Sequence, residues 1–140
     1  MILKLFSKTD KPDDKSELIN IACLMIHAAR IDENYTDNEK KIIKKTLTKL
    51  DNSNEDIDKL IIEAEKKEAD SNHIQEFTKN IKSMNKDNKI EIIKNIWSII
   101  LSDGTSDIFE ENLMRRLSGL LYIDAKTMGD IKLDIQAKGK

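Results

Sequence analysis

Proline occurs once, cysteine once and glycine four times in the 140 residues, and each scarcity excludes something. With so few turn formers and few alternating β-branched runs, a sheet has little to be built from. The single cysteine, Cys23, excludes an intrachain disulfide and fits a reducing compartment. Neither sign of charge dominates. The 24 basic and 26 acidic residues leave a formal net charge of -2, which gives no overall push toward nucleic acid or an anionic membrane. No stretch approaches the roughly 18 uninterrupted apolar residues of a spanning helix. The opening MILKLFSK is too short for a signal core and offers too little apolar area for stable anchoring. A cytoplasmic protein without stable membrane insertion is expected.

What is present is charge interspersed with recurring apolar residues. Charged residues make up 36% of the chain, yet apolar positions return at helical spacing throughout, so the chain reads as globular. Its length suits one domain with one core. Residues 1–14 read as a short lead ending near Pro12, and residues 15–138 as the domain. Leu18, Ile21, Ala22, Met25 and Ala29 form the stripe of a first helix, capped at Ser16 and ending at Arg30. Thr36 and Glu39 make a capping box for a second, from Asp37 to Leu50. The run Asp51 to Asn54 stops it and caps a third, carrying Ile57, Leu60, Ile61 and Ala64. Ser71 or Asn72 caps a fourth, with Ile74, Phe77, Ile81 and Met84 in register. Asp87 or Asn88 opens a fifth through Leu101, apolar almost all round and therefore expected at the centre. Asp107 and Glu110 open the sixth, and Asp124 caps the seventh, which ends near Ala137. The fold class is all-α, a single-domain bundle of about seven helices.

Two stretches share one plan. Sliding the chain by 71 residues puts Asp32 on Asp103 and Glu39 on Glu110, in each case an aspartate at a helix exit and a glutamate seven residues later. We read this as two pseudo-repeated helix–acidic turn–helix units. An aspartate at a helix C-terminus opposes the helix dipole by ~0.3–1 kcal/mol, so something should compensate at both turns. A cation is one answer. Oxygen-bearing side chains fall at Asp32, Asn34, Thr36 and Glu39, and at Asp103, Thr105, Asp107 and Glu110, a spacing like the first ligands of a calcium loop. The EF-hand itself is excluded, because Asp37 and Ile108 stand where its glycine is required and Ile43 and Met114 where its glutamate is. Capping is the other answer. Glu39 and Glu110 are the return arms of capping boxes, and Asp32 and Asp103 could each accept a backbone N–H in an Asx-turn.

The segment from Ile96-Trp97 to Leu121, with Ser102-Asp103-Gly104 and then Glu110, resembles the TerB-like tellurite-resistance family. There an apolar helix ends in Ala-Asp-Gly, with a glutamate seven residues after the aspartate. Ala28-Ala29-Arg30-Ile31-Asp32 with Glu39 resembles the family's other copy. The likeness covers roughly residues 16–137. Ser102 departs from the family's alanine, and Glu33 from the glycine that eases the turn after the aspartate. The resemblance implies a compact helical bundle with an acidic, metal-associated surface, a role in stress or tellurite resistance, and no catalysis. It carries over Asp32, Glu39, Asp103 and Glu110 as metal residues, and the oxygen spacing offers Asp107, Thr105 and Asn34 as candidate additional ligands. The cofactor implied is a divalent cation, calcium or a similarly hard ion, and otherwise none.

Other signals are weaker. Cys23 and His27 lie four apart but lack a second pair to complete a transition-metal site. Lys40, Lys41, Lys44 and Lys45, echoed by Arg115 and Arg116, lack the aromatics of a nucleic-acid surface, so no nucleic-acid partner is expected. No Gly-rich phosphate loop, Gly-x-Ser-x-Gly elbow or His-Glu-x-x-His is present, so an enzyme is not expected. The leading expectation is a non-enzymatic stress-response module binding divalent metal through paired acidic turns. The alternative is a protein-docking domain of the co-chaperone type, in which those turns only cap helices. A protein partner is expected in either case.

Overall fold

A computed structural model describes residues 15–31, 35–50, 56–71, 74–79, 81–103 and 107–138. Among these there are seven α-helices and no strand: α1 (Lys15–Arg30), α2 (Asp37–Leu50), α3 (Ile57–Asp70), α4 (Gln75–Thr78), α5 (Lys86–Ile100), α6 (Ile108–Leu120) and α7 (Ala125–Lys138). Short 3-10 turns, Ile81–Ser83 and Leu101–Asp103, precede and follow α5.

The core is wrapped around α1. From Leu18 to Ala29 only Ile19 and His27 escape burial, because α2, α3, α4 and α5 all pack against this one helix. The five-residue stripe read from the sequence is therefore too narrow, and Cys23, Leu24, Ile26 and Ala28 join it at 0–1% exposure. Nor does α5 hold the centre alone. It buries Ile92, Ile93, Ile96, Trp97, Ile99 and Ile100 and lies against α1, α2 and α7. The two form a central pair. Only Asn20 and His27 interrupt the apolar run of α1, and both are tied to α3. Lys67 donates to Asn20 Oδ1 at 2.7 Å, and His27 Nδ1 lies 3.2 Å from Glu68 Oε2.

Local chemistry sets most of the helix ends. The Thr36 hydroxyl accepts the Glu39 N–H at 3.1 Å, and Asp107 Oδ1 accepts the Glu110 N–H at 2.8 Å. At α7, Asp124 accepts from the Thr127 N–H and hydroxyl, which hold its carboxyl below the ordinary aspartate range. Some ends differ from expectation. Helix α1 already includes Lys15, so Ser16 lies inside it. Asp56 caps α3, accepting from the Lys59 N–H, while residues 51–54 lie outside the described set. Ser71 closes α3 rather than opening α4, and Asn72 lies outside the described residues. Asn85 caps α5, two residues before Asp87.

The fourth helix is the main correction. In place of one helix through Met84 there is a single turn and then a 3-10 turn. The Thr78 hydroxyl donates back to the Gln75 carbonyl at 3.1 Å, competing with the helical ladder. Ile74, Phe77, Ile81 and Met84 are all buried nonetheless, because spacings of three and four serve a broken segment as well as a continuous one.

Candidate functional site

Both acidic turns are entered from a helix of the central pair and left through a capping box. At the first, the Thr36 N–H donates to Glu39 Oε1 at 2.7 Å while the Thr36 side chain receives the Glu39 N–H. At the second, the Asp107 N–H donates to Glu110 Oε1 at 3.0 Å while Asp107 receives the Glu110 N–H. The partners correspond under the 71-residue shift (107 minus 36; 110 minus 39), and so do the starts of α2 and α6 at Asp37 and Ile108. Each glutamate is buried to 5% exposure. A buried carboxylate at a helix N-terminus is held by the orphan N–H groups and the positive end of the dipole. Glu39 and Glu110 thus sit behind their turns as capping acceptors.

Around the first turn, α3 supplies a polar clamp. Arg30 donates to Glu68 Oε1 at 2.6 Å, and its guanidinium lies 5.6 Å from the Tyr35 ring centroid. The Tyr35 hydroxyl donates to Glu65 Oε2 at 3.0 Å, and Lys40 Nζ lies 3.2 Å from the same oxygen. Burial and then the bond to Glu65 push the Tyr35 hydroxyl above its ordinary pKa. The second turn has a different border. Ser102, Asp107, Ile108 and Phe109 are exposed, the last two at 69% and 68%. Phe109 also lines a cleft of about 190 Å³ with His27, Ile31, Leu113 and Arg116.

Of the expected ligands, Asp32, Asn34 and Thr105 lie outside the described residues, as does the side chain of Asp103, whose backbone closes the 3-10 turn after α5. Asp107 is exposed and gives Oδ1 to its cap. The described residues contain no cluster of three or more metal-ligating side chains. Cys23 and His27 are engaged separately. The thiol donates to the Ala64 carbonyl at 3.4 Å, and burial pushes it up to about 12, while His27 pairs with Glu68. Two lysines of the basic face of α2 reach α3, Lys40 paired to Glu65 and Lys44 to Asp58 at 3.0 Å.

An apolar helix ending at an aspartate, with a capping glutamate seven residues after it, is the pattern that carried the family likeness. The family model described as "Tellurite resistance protein TerB" matches residues 18–133. The chain belongs to the TerB family. No curated protein and no solved structure matches it. The TerB match spans every described helix from near the start of α1 into α7, so both turns fall within it. No helix among the described residues is long and apolar enough to cross a membrane.

Two features of this TerB domain had no counterpart in the sequence reading. One is the Arg30–Glu68 and Tyr35–Glu65 clamp, whose partners lie 38 and 30 residues apart. The other joins Trp97, Glu111 and Lys132 from three helices. Neither leaves a local pattern, because each is made where separate helices cross.

Proposed function

We propose that this TerB chain is a non-enzymatic, cytoplasmic stress-response module whose paired acidic turns bind a hard divalent cation, with calcium the first choice. The observation that carries the reading is the recurrence of one capping box behind both turns, each with a buried glutamate. Such a box fixes the backbone at the exit of the turn. The roles divide accordingly. Asp32 with Asn34, and Asp103 with Thr105 and Asp107, supply hard oxygen donors of the kind calcium takes. Glu39 and Glu110, each with Oε1 on a backbone amide, act in this reading as the carboxylates that position the turns. The matching geometry under the 71-residue shift also supports reading the two units as a duplication.

The test is calorimetric titration of metal-stripped protein with calcium, magnesium, manganese and zinc, alongside melting temperature. Saturable heat with a raised melting point, both lost in Asp103→Asn, is expected. A flat titration with all four ions refutes the cation reading.

A second reading has its own support. Ile108 and Phe109 are exposed at the mouth of the second turn, beside the cleft lined by His27 and Arg116. Exposed aromatic and aliphatic side chains next to a cleft suit a protein partner. On that reading the acidic turns only cap helices and the domain docks another protein, as the co-chaperone alternative holds. Asp103→Asn then lowers stability without changing the response to ions, and Phe109→Ala weakens the partner's binding.

A further inference from the structure

Helices α2 and α3 pack against each other, and an open groove of about 380 Å³ lies between them. Ile61 and Ile62 of α3 line it, and Lys40, Lys41 and Lys44 form its α2 wall. We propose that this groove docks an amphipathic helix of a partner protein, its apolar face seated over Ile62 and its flanks carrying aspartate or glutamate.

The apolar anchor point is Ile62, which is 55% exposed beside the buried Ile61. Two ion pairs cross from α2 to α3 around it, Lys40 to Glu65 at 3.2 Å and Lys44 to Asp58 at 3.0 Å. On α3 the two isoleucines lie between Asp58 and Glu65, so the pairs frame an apolar window. Those pairs neutralise Lys40 and Lys44, and four lysines remain. Lys41 and Lys45 are exposed one turn apart on α2. Lys59 and Lys66 are exposed on α3, three residues before and four after Ile62, and so share its face. None of the four forms an ion pair among the described residues. Against them stand Asp37, which lines the groove, and Glu63 beside Ile62. Cations are therefore in excess here, on a chain whose net charge is -2. An acidic partner complements that field.

Shape selects a helix. A concave seam between two packed helices accepts a third, whose side-chain ridges enter the groove. A nucleic acid would use the lysines and leave Ile62 uncovered, and no aromatic side chain lines the groove to stack on a base. A second copy is a poorer match. Helix α7, which exposes Leu133, carries three lysines against two aspartates, and α6, which exposes Ile108 and Phe109, balances two glutamates with two arginines. The groove shares no lining residue with the Phe109 cleft, and failure of cation binding or of docking at that cleft leaves it standing.

The probe is a fluorescein-labelled helical peptide of about 15 residues, with leucines at three- and four-residue spacing and glutamates elsewhere. Its counterpart has lysine at every glutamate. Fluorescence anisotropy of each is followed against the full-length protein. A saturable rise with the glutamate peptide only is expected, shrinking as salt is added. Binding should weaken about tenfold or more in Ile62→Gln and again in Lys41→Glu with Lys66→Glu. Leu133→Gln, which removes an exposed leucine elsewhere, should leave it unchanged. All these positions are exposed, and circular dichroism checks that each variant folds. A flat titration, equal binding of both peptides, or binding unaltered in Ile62→Gln overturns the proposal. So does a duplex oligonucleotide that binds as tightly as the glutamate peptide, or self-association in sedimentation that Ile62→Gln abolishes.

Discussion

Replacing Glu110 by alanine tests whether the glutamate behind the second turn is structural. Its Oε1 accepts the Asp107 N–H at 3.0 Å, and its own N–H is held by Asp107 Oδ1 at 2.8 Å. Truncation removes a hydrogen bond to a charged acceptor, worth ~1.5–3 kcal/mol net. It also removes a negative charge from the first turn of α6, which adds ~0.3–1 kcal/mol. The side chain is 5% exposed, so water does not readily replace it. A loss of ~2–3 kcal/mol in unfolding free energy is expected, read from urea denaturation followed by circular dichroism. Glu110→Gln keeps an acceptor of the same shape and should lose less than half of that. Asp107→Ala should cost ~1 kcal/mol as a lost N-cap. Because the box is reciprocal, the double variant should lose less than the two single losses added together, by at least ~0.5 kcal/mol. Glu39→Ala should match Glu110→Ala, since Thr36 and Glu39 make the same exchange. A Glu110→Ala protein within ~0.5 kcal/mol of wild type would refute the capping role.

Cys23, buried and with its thiol pushed up to about 12, should resist thiol reagents at pH 8 and react only as fast as the protein unfolds; rapid labelling of the folded protein would contradict the packing of α1 against α3. Glu91 gives a pH prediction. The hydrogen bond from Lys49 at 2.8 Å, more than burial opposes it, holds its carboxyl below the ordinary glutamate range. A lowered folded pKa means the stabilisation is present above the unfolded value and is lost as pH falls through the folded one. The pair is partly exposed, so the effect is at most ~1 kcal/mol and shrinks with salt. Lys49→Met should flatten that part of the acid stability profile, and an unchanged profile would remove the pair from the account.

The features legible in the sequence were those governed by neighbours three or four residues apart. Thr36 with Glu39, and Asp107 with Glu110, set the starts of α2 and α6, because a capping box is complete within four residues. Asp124 set α7 in the same way. The apolar positions at Ile74, Phe77, Ile81 and Met84 were readable as buried, but the helix they implied was not there. Periodicity reports which side faces the core and leaves open whether the ladder between the residues is continuous. The TerB likeness was also legible, since the residues that carried it are close neighbours in the chain, and the family model matches residues 18–133.

The tertiary structure decided what the chain places together. It put α1 at the centre beside α5, because burial on all sides depends on how many helices surround one, and several apolar helices compete for that place in any bundle. It joined Tyr35 to Glu65 and Arg30 to Glu68, and set Lys132 over Trp97, across separations no local pattern encodes. It also showed Glu39 and Glu110 buried, each with Oε1 accepting a backbone N–H of its capping box. The sequence alone determined an all-α TerB domain with two acidic turns, since helix caps and amphipathic spacing are properties of adjacent residues. Which side chains share a cavity or a clamp was settled only by the packing of one helix on another, where distance along the chain no longer measures distance in space.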